Sequence, residues 1–129
     1  MYMLDTSVCV DLIRGRASET ELPSRSECVL SVITVAELEV GIRRSTRPAA
    51  QRQAVEAFTS FFEVFPWDLQ AASHYGELRV DLEKRGIGIG PLDLLIAAHA
   101  HQLGAALVTG NIREFQRVSG LSCLEWTKS

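Results

Sequence analysis

Cysteine is scarce in this chain of 129 residues, and the little there is cannot make a framework. Cys9, Cys28 and Cys123 are odd in number, far apart, and include no Cys-x-x-Cys pair. Disulfide scaffolds and zinc knuckles are thereby excluded, and reduced, buried thiols are the expectation. Long apolar runs are missing as well. None approaches the roughly 20 residues that cross a bilayer, and Tyr2-Met3-Leu4 reaches Asp5 too soon for the apolar region of a secretory signal. The expectation is a cytoplasmic protein with no membrane partner. An excess of positive charge is lacking too, since 13 lysines and arginines against 16 aspartates and glutamates leave a formal net charge of −3. A bulk basic field therefore cannot bring this chain to a nucleic acid, and any such contact has to be local. With no internal repeat, low-complexity tract or linker, residues 1–129 are expected to form one domain, long enough to bury one core.

What is present is an alternation of short strands and helices. Tyr2-Met3-Leu4-Asp5 reads as a strand ending on an acid, with the Thr6 and Ser7 hydroxyls offered as caps for an apolar helix through Val8, Val10, Leu12 and Ile13 that Gly15 ends. The polar segment 16–27 is expected to be a loop or a frayed short helix. Cys28-Val-Leu-Ser31 reads as a second strand, followed by a helix from about Thr34 with Val35, Leu38 and Ile42 on its apolar face. Pro48 starts another, with Ala50, Ala54, Ala57, Phe58 and Phe61 on one side. Phe62-Glu-Val-Phe65 is a third strand stopped by Pro66, and Asp68 caps a long helix through Leu69, Ala72, Gly76 and Leu82 that stops at Arg85-Gly86. Gly90-Pro91 opens the most apolar helix, Leu92 to Leu103, and Gly104 ends it. Ala105 to Thr109 then has the look of a strand covered on both faces, and Leu121 to Trp126 that of an edge strand. This order predicts an α/β domain, a parallel sheet of about five strands flanked by helices.

In such a sheet the loops after the strands open on one edge, the usual place for a site. Asp5 ends the first strand there, and Glu37 falls in the first turn of the helix after the second. Asp93 arrives because its helix runs opposite to the strand that follows it. Glu114, with Asn111 one helical turn before it, follows the strand that ends at Thr109. Each acid has a plain alternative reading. Thr34-x-x-Glu37 is a capping box, Asp93 can favour the positive end of its helix, Asp5 can cap the helix after it, and Glu114 can be an exposed charge beside Arg113. Yet Asp93 interrupts the most apolar helix, and several carboxylates on one rim repel unless a cation or raised proton affinity compensates. Oxygen-only ligands select Mg²⁺ or Mn²⁺, and such an ion in an open cleft does phosphoryl chemistry. Glu114 is given a supporting role at the ion and Asn111 an orienting one. His99 and His101 lie on different faces of their helix, and His74 has no evident partner.

Four stretches occur in order over nearly the whole chain: Met3-Leu-Asp5-Thr6-Ser7, Ser31-Val-Ile-Thr34-Val-Ala-Glu37-Leu, Ile89-Gly-Pro-Leu-Asp93-Leu-Leu-Ile-Ala-Ala-His99-Ala and Leu107-Val-Thr109-Gly-Asn111-Ile-Arg-Glu114-Phe. Together they resemble the PIN-domain ribonucleases, specifically the VapC toxins of bacterial toxin–antitoxin pairs. The resemblance implies a metal-dependent endoribonuclease, inhibited by a cognate antitoxin and commonly dimeric, with Asp5, Glu37 and Asp93 at its metal site. Ser7 departs from the asparagine usual in the family, and Gly110 from the second asparagine of many members. An RNA strand on the rim would find Arg113, and Arg44 or Arg47, as local phosphate partners. A haloacid-dehalogenase reading fails because Ser7 stands where a second aspartate is needed. The alternative is a non-catalytic PIN-fold module that binds RNA or protein, which a metal titration separates from an enzyme.

Overall fold

The computed structural model describes residues 1–16 and 22–126. Its strands are β1 (Tyr2–Leu4), β2 (Cys28–Ser31), β3 (Glu63–Phe65), β4 (Ala106–Thr109) and β5 (Cys123–Glu125). They form one parallel sheet in the spatial order β3-β2-β1-β4-β5. The helices are α1 (Thr6–Ile13), α2 (Val32–Arg44), α3 (Pro48–Thr59), α4 (Leu69–Lys84), α5 (Pro91–Leu103) and α6 (Ile112–Phe115). The chain steps from β1 outward through β2 to β3, then returns to the other side of β1 for β4 and β5. That reversal opens a crevice at the carboxyl ends of β1 and β4, where doubly wound sheets hold their ligands.

Side chains that alternate along the strands divide the core in two. Met3, Val29 and Leu107 point to one face, where they meet Leu78 and Leu82 of α4, the buried side of α5, and Phe115. Their neighbours Leu4, Leu30 and Val108 point to the other, against Val8 of α1, Leu38 and Ile42 of α2, and Val55 and Phe58 of α3. α5 is buried along Leu94, Ile96, Ala97, Ala98, His99 and Ala100, as its composition requires. Gly104 ends it at φ 67°, a left-handed turn that a side chain would strain. Cys9 and Cys28 are buried and Cys123 half-buried, and all three are free thiols. No helix among the described residues is long and apolar enough to cross a membrane.

Several local expectations give way to tertiary packing. Asp5, not Thr6 or Ser7, caps α1, its carboxylate accepting from the Thr6 N–H. α2 begins at Val32, two residues before the expected start, because Ser31 is extended and its hydroxyl oxygen accepts from the Ile33 N–H at 3.1 Å. Thr34 and Glu37 therefore form no capping box. Thr34 is fully buried, Val35 only half-buried, and Glu37 falls in the second turn. On the expected face of α3, Phe58 is buried as expected, but Ala50, Ala54 and Ala57 are exposed, as is Phe61 just beyond the helix, and Val55 packs beside Phe58 in their place. Large side chains gain more from burial than alanines do, so they set the rotation of a helix with few of them. α4 buries Leu82 as expected, together with Ala71 and Leu78, while Leu69, Ala72 and Gly76 stay in solvent. Of the segment 16–27, residues 17–21 lie outside the described residues, and Arg25–Glu27 is a single 3-10 turn.

Candidate active site

A continuous run of hydrogen bonds lines the crevice. Asp5, one residue beyond β1, is buried. Its Oδ1 accepts from the Thr6 N–H at 2.7 Å, and its Oδ2 from the Ser7 hydroxyl at 3.0 Å and the Thr109 hydroxyl at 2.7 Å. The Thr6 hydroxyl donates to Glu37 Oε1 at 2.7 Å and lies 3.2 Å from the hydroxyl of Thr34. On the other side, the Thr109 oxygen accepts from the Asn111 N–H at 2.9 Å. Asn111 Nδ2 donates to Glu114 Oε2 at 2.5 Å, and Glu114 Oε1 accepts from the Gly90 N–H at 2.8 Å. Gly90 is the N-cap of α5, and Asp93 stands in the first turn of that helix. A Cβ built on Gly90 would lie 3.3 Å from Asp93 Oδ2 and 3.5 Å from Glu114 Oε1, so a side chain at residue 90 would press on both carboxylates. All four acids are therefore gathered at one edge, each carried by a different element.

The charges there are unbalanced. Burial pushes the Asp5 carboxyl above its ordinary value, while the Thr109, Ser7 and Thr6 donors pull it back. Asp93 is pushed up to about 7, first by burial and then by the charges of Glu114, Asp5 and Glu37. Among the described residues, no lysine or arginine pairs with any of the four. Nor do any three histidine, cysteine, aspartate or glutamate side chains stand as a ready metal cage. A small hard cation does not ask for one, since it is held by one or two carboxylates and keeps several of its own waters. An all-oxygen donor set with excess negative charge fits that class of ion.

The other singled-out residues sort by position. His99 Nδ1 lies 2.7 Å from the Ser31 hydroxyl, and burial pulls its pKa down, so it is a neutral core residue joining β2 to α5. His74 does have a partner: its Nδ1 lies 2.7 Å from His101 Nδ1 across the α4/α5 contact. Burial pushes the Cys9 thiol far up, which removes it as a nucleophile. Arg44, Arg47 and Arg113 are exposed. Arg44 and Arg14 line a cavity of about 480 Å³ that also reaches Glu37, Arg113 precedes Glu114 on α6, and Arg47 stands outside that cavity just before α3. Sequence reasoning missed what Thr34 and Gly90 do. Gly90 was legible as a helix start, but nothing local announces that its N–H meets a glutamate 24 positions later.

The model of the PIN domain family matches residues 2–121. The tRNA(fMet)-specific endonuclease VapC of Salmonella typhimurium is 38% identical over 128 residues, with 97% of each chain covered. Ribonuclease VapC2 of Rickettsia felis is 37% identical over 133 residues, with 99% of each covered. Among solved structures, DNA-bound VapBC from Salmonella typhimurium superposes with a TM-score of 0.93 at 37% identity, and VapBC2 from Rickettsia felis bound to a promoter DNA fragment with 0.92 at 36%, both covering 98% of each chain. A parallel sheet with its acids at the β1/β4 crevice, a family model over nearly the whole length and full-length relatives of this kind agree: the chain belongs to the PIN-domain family, among its VapC members.

Proposed function

We propose that this protein is a divalent-metal-dependent endoribonuclease, the toxin of a toxin–antitoxin pair, hydrolysing RNA phosphodiesters with water. The observation that carries the reading is the unbalanced cluster of carboxylates at the β1/β4 crevice, with Asp93 pushed up to about 7. Asp5 and Asp93 would hold Mg²⁺ or Mn²⁺, with Glu37 completing the three-acid core and Glu114 in support. Bound there, the ion supplies positive charge to the phosphate and lowers the proton affinity of the attacking water.

The chain's own groups do the rest. Three neutral donors, from Thr6, Ser7 and Thr109, hold Asp5 in one orientation before any ligand arrives. Glu37 gives Oε1 to Thr6, leaving Oε2 to accept a proton from the attacking water. Asn111 orients Glu114. Arg113 and Arg44, with Arg47 beyond, flank the rim and would meet RNA phosphates, so binding should weaken with salt. The same acidic rim suits an arginine or lysine of an antitoxin segment, which would block the site by displacing the cation. A homodimer in the cytoplasm completes the reading.

The test is to incubate the purified protein with initiator tRNA, the substrate named for the Salmonella relative, and with total RNA. Cleavage with Mg²⁺, none in EDTA and none by Asp93→Asn or Asp5→Ala is the expected result. Cutting in EDTA or by either variant overturns the metal mechanism. RNA binding without any Mg²⁺ effect would instead mark a non-catalytic module.

A further inference from the structure

Two features remain unused by this reading: the glycine-rich connection Gly86-Ile-Gly-Ile-Gly90 and Arg117. They meet each other. Arg117 Nη1 donates to the Gly88 carbonyl at 2.8 Å, two residues before the Gly90 N–H that donates to Glu114. Glu114 and Arg117 are three apart in one helical turn, the Arg117 N–H bonding the Glu114 carbonyl at 3.2 Å. One short segment therefore grips the connection at two points, with a carboxylate on an N–H and a guanidinium on a carbonyl. The grip is itself anchored to the end of α4. Arg85 Nη2 donates to the Arg117 carbonyl at 2.6 Å and to Asp81 Oδ2 at 2.7 Å, and the Ser119 hydroxyl donates to that same Asp81 oxygen at 3.0 Å.

The connection needs such a grip. Gly86 takes φ 68°, and Gly88 and Gly90 bring no side chains to pack, so among its side chains half-buried Ile87 and Ile89 alone reach the core, and backbone bonds hold its ends, Gly86 and Ile87 to α4 and Gly90 to α5. Glycine is the residue with most conformational freedom to lose. Yet the end of this connection decides where α5 starts, and hence where Asp93 stands among the other acids. Gly90 stands close to both acids, since a Cβ built on it would lie 3.3 Å from Asp93 Oδ2 and 3.5 Å from Glu114 Oε1, so a shift of this residue is felt at the rim.

We propose that Arg117 is a positioning residue for the acidic rim: by holding the Gly88 carbonyl it fixes the connection that presents the Gly90 N–H to Glu114 and starts the helix carrying Asp93. The proposal rests on the reading of the rim as a cation site. It differs from the role given to Arg113, since Arg117 Nη1 is engaged by the Gly88 carbonyl and the residue acts through the acids rather than on RNA. Lysine can reach one carbonyl and keeps the charge, so Arg117→Lys should retain most of the effect and Arg117→Ala should lose it.

The experiment compares wild type, Arg117→Ala and Arg117→Lys in three readouts. Mg²⁺ affinity is measured by calorimetry on the intact protein without RNA. RNA cleavage is separated into kcat and KM, and amide hydrogen exchange is followed at residues 86–93. In Arg117→Ala we expect Mg²⁺ affinity and kcat to fall by up to about tenfold, the low end for loss of a group supporting a metal ligand. KM for RNA should stay unchanged, exchange should quicken at Gly90 and its neighbours alone, and Arg117→Lys should restore these values. A raised KM with a weaker salt dependence and intact Mg²⁺ affinity would overturn the proposal and make Arg117 a phosphate contact. Should wild type bind no Mg²⁺ and cut no RNA, the reading of the rim fails, and the grip is judged on exchange: unchanged protection at Gly90 in Arg117→Ala overturns it as well.

Discussion

On the β1 side of the crevice Asp5 and Glu37 are met by hydroxyl and amide donors, whereas on the α5 side Asp93 faces Glu114 and, beyond it, the other two acids. Neutral donors satisfy an anion without bringing a new charge that must itself be satisfied. A second carboxylate does the reverse, leaving a deficit that only a proton or a cation can fill. The first side is thus preorganised by the fold, and the second is left poised for a partner.

The largest break in this contrast should come from Asp93→Asn, which removes the most frustrated charge. Cleavage should fall by several kcal/mol of transition-state stabilisation, roughly a hundredfold to ten-thousandfold in rate, while the metal-free protein folds at least as stably as wild type. Single-turnover kinetics beside a melting curve in EDTA checks both halves. Retained activity would remove Asp93 from the mechanism.

Glu114→Gln keeps a group able to accept from Gly90 but removes the largest of the charges that oppose Asp93. It should lower activity and metal affinity by roughly 10–100-fold, less than Asp93→Asn, as read by Mg²⁺ titration of the cleavage rate. If it behaves like wild type while Asn111→Ala is dead, the roles of the two are exchanged.

On the quiet side, Thr109→Val removes the hydroxyl that donates to Asp5 Oδ2 and accepts from the Asn111 N–H. Leaving a buried carboxylate and an amide unsatisfied costs about 1–3 kcal/mol, to be read as a lower urea midpoint in the metal-free protein. A loss of activity at unchanged stability would show that the hydroxyls serve the reaction and not the fold.

The smallest effect sharpens the contrast by pH. Asp93 keeps its proton up to about 7 in the folded chain but only to its ordinary value of 3.8 when unfolded. Between these values the folded state binds more protons, so the stability contributed is whole below about pH 4 and is lost as pH rises through 7. Solvent reaches half of this carboxyl, and screening holds the effect to roughly 1–2 kcal/mol. In EDTA the Tm should therefore be a few degrees lower at pH 8 than at pH 5, and Mg²⁺ should close the gap. A Tm independent of pH and Mg²⁺ would mean that the rim carries no frustrated charge.

What was legible in the sequence was legible for local reasons. Gly90-Pro91 and Gly104 bound α5 correctly because helix ends follow from a few adjacent residues, and Asp68 caps α4 as its type requires. The misreadings share one cause. At Thr34 to Glu37 a strong local pattern lost to Ser31, which the strand had already placed at the cap position. On α3 the alanines of the expected face give way to Val55, which has more area to bury beside Phe58.

By itself the sequence determined the order of elements, the parallel sheet and which acids share an edge. Periodicity and chain direction are enough for that, because they act over one element or one crossover. Only the tertiary structure decided what each acid meets there. Glu114 finds the Gly90 N–H 24 positions away, Thr6 finds Glu37 31 away, and Thr109 finds Asp5 104 away. Such contacts depend on how separately formed elements pack to within a fraction of an ångström. No local pattern encodes whether a carboxylate will be greeted by a hydroxyl or by another carboxylate.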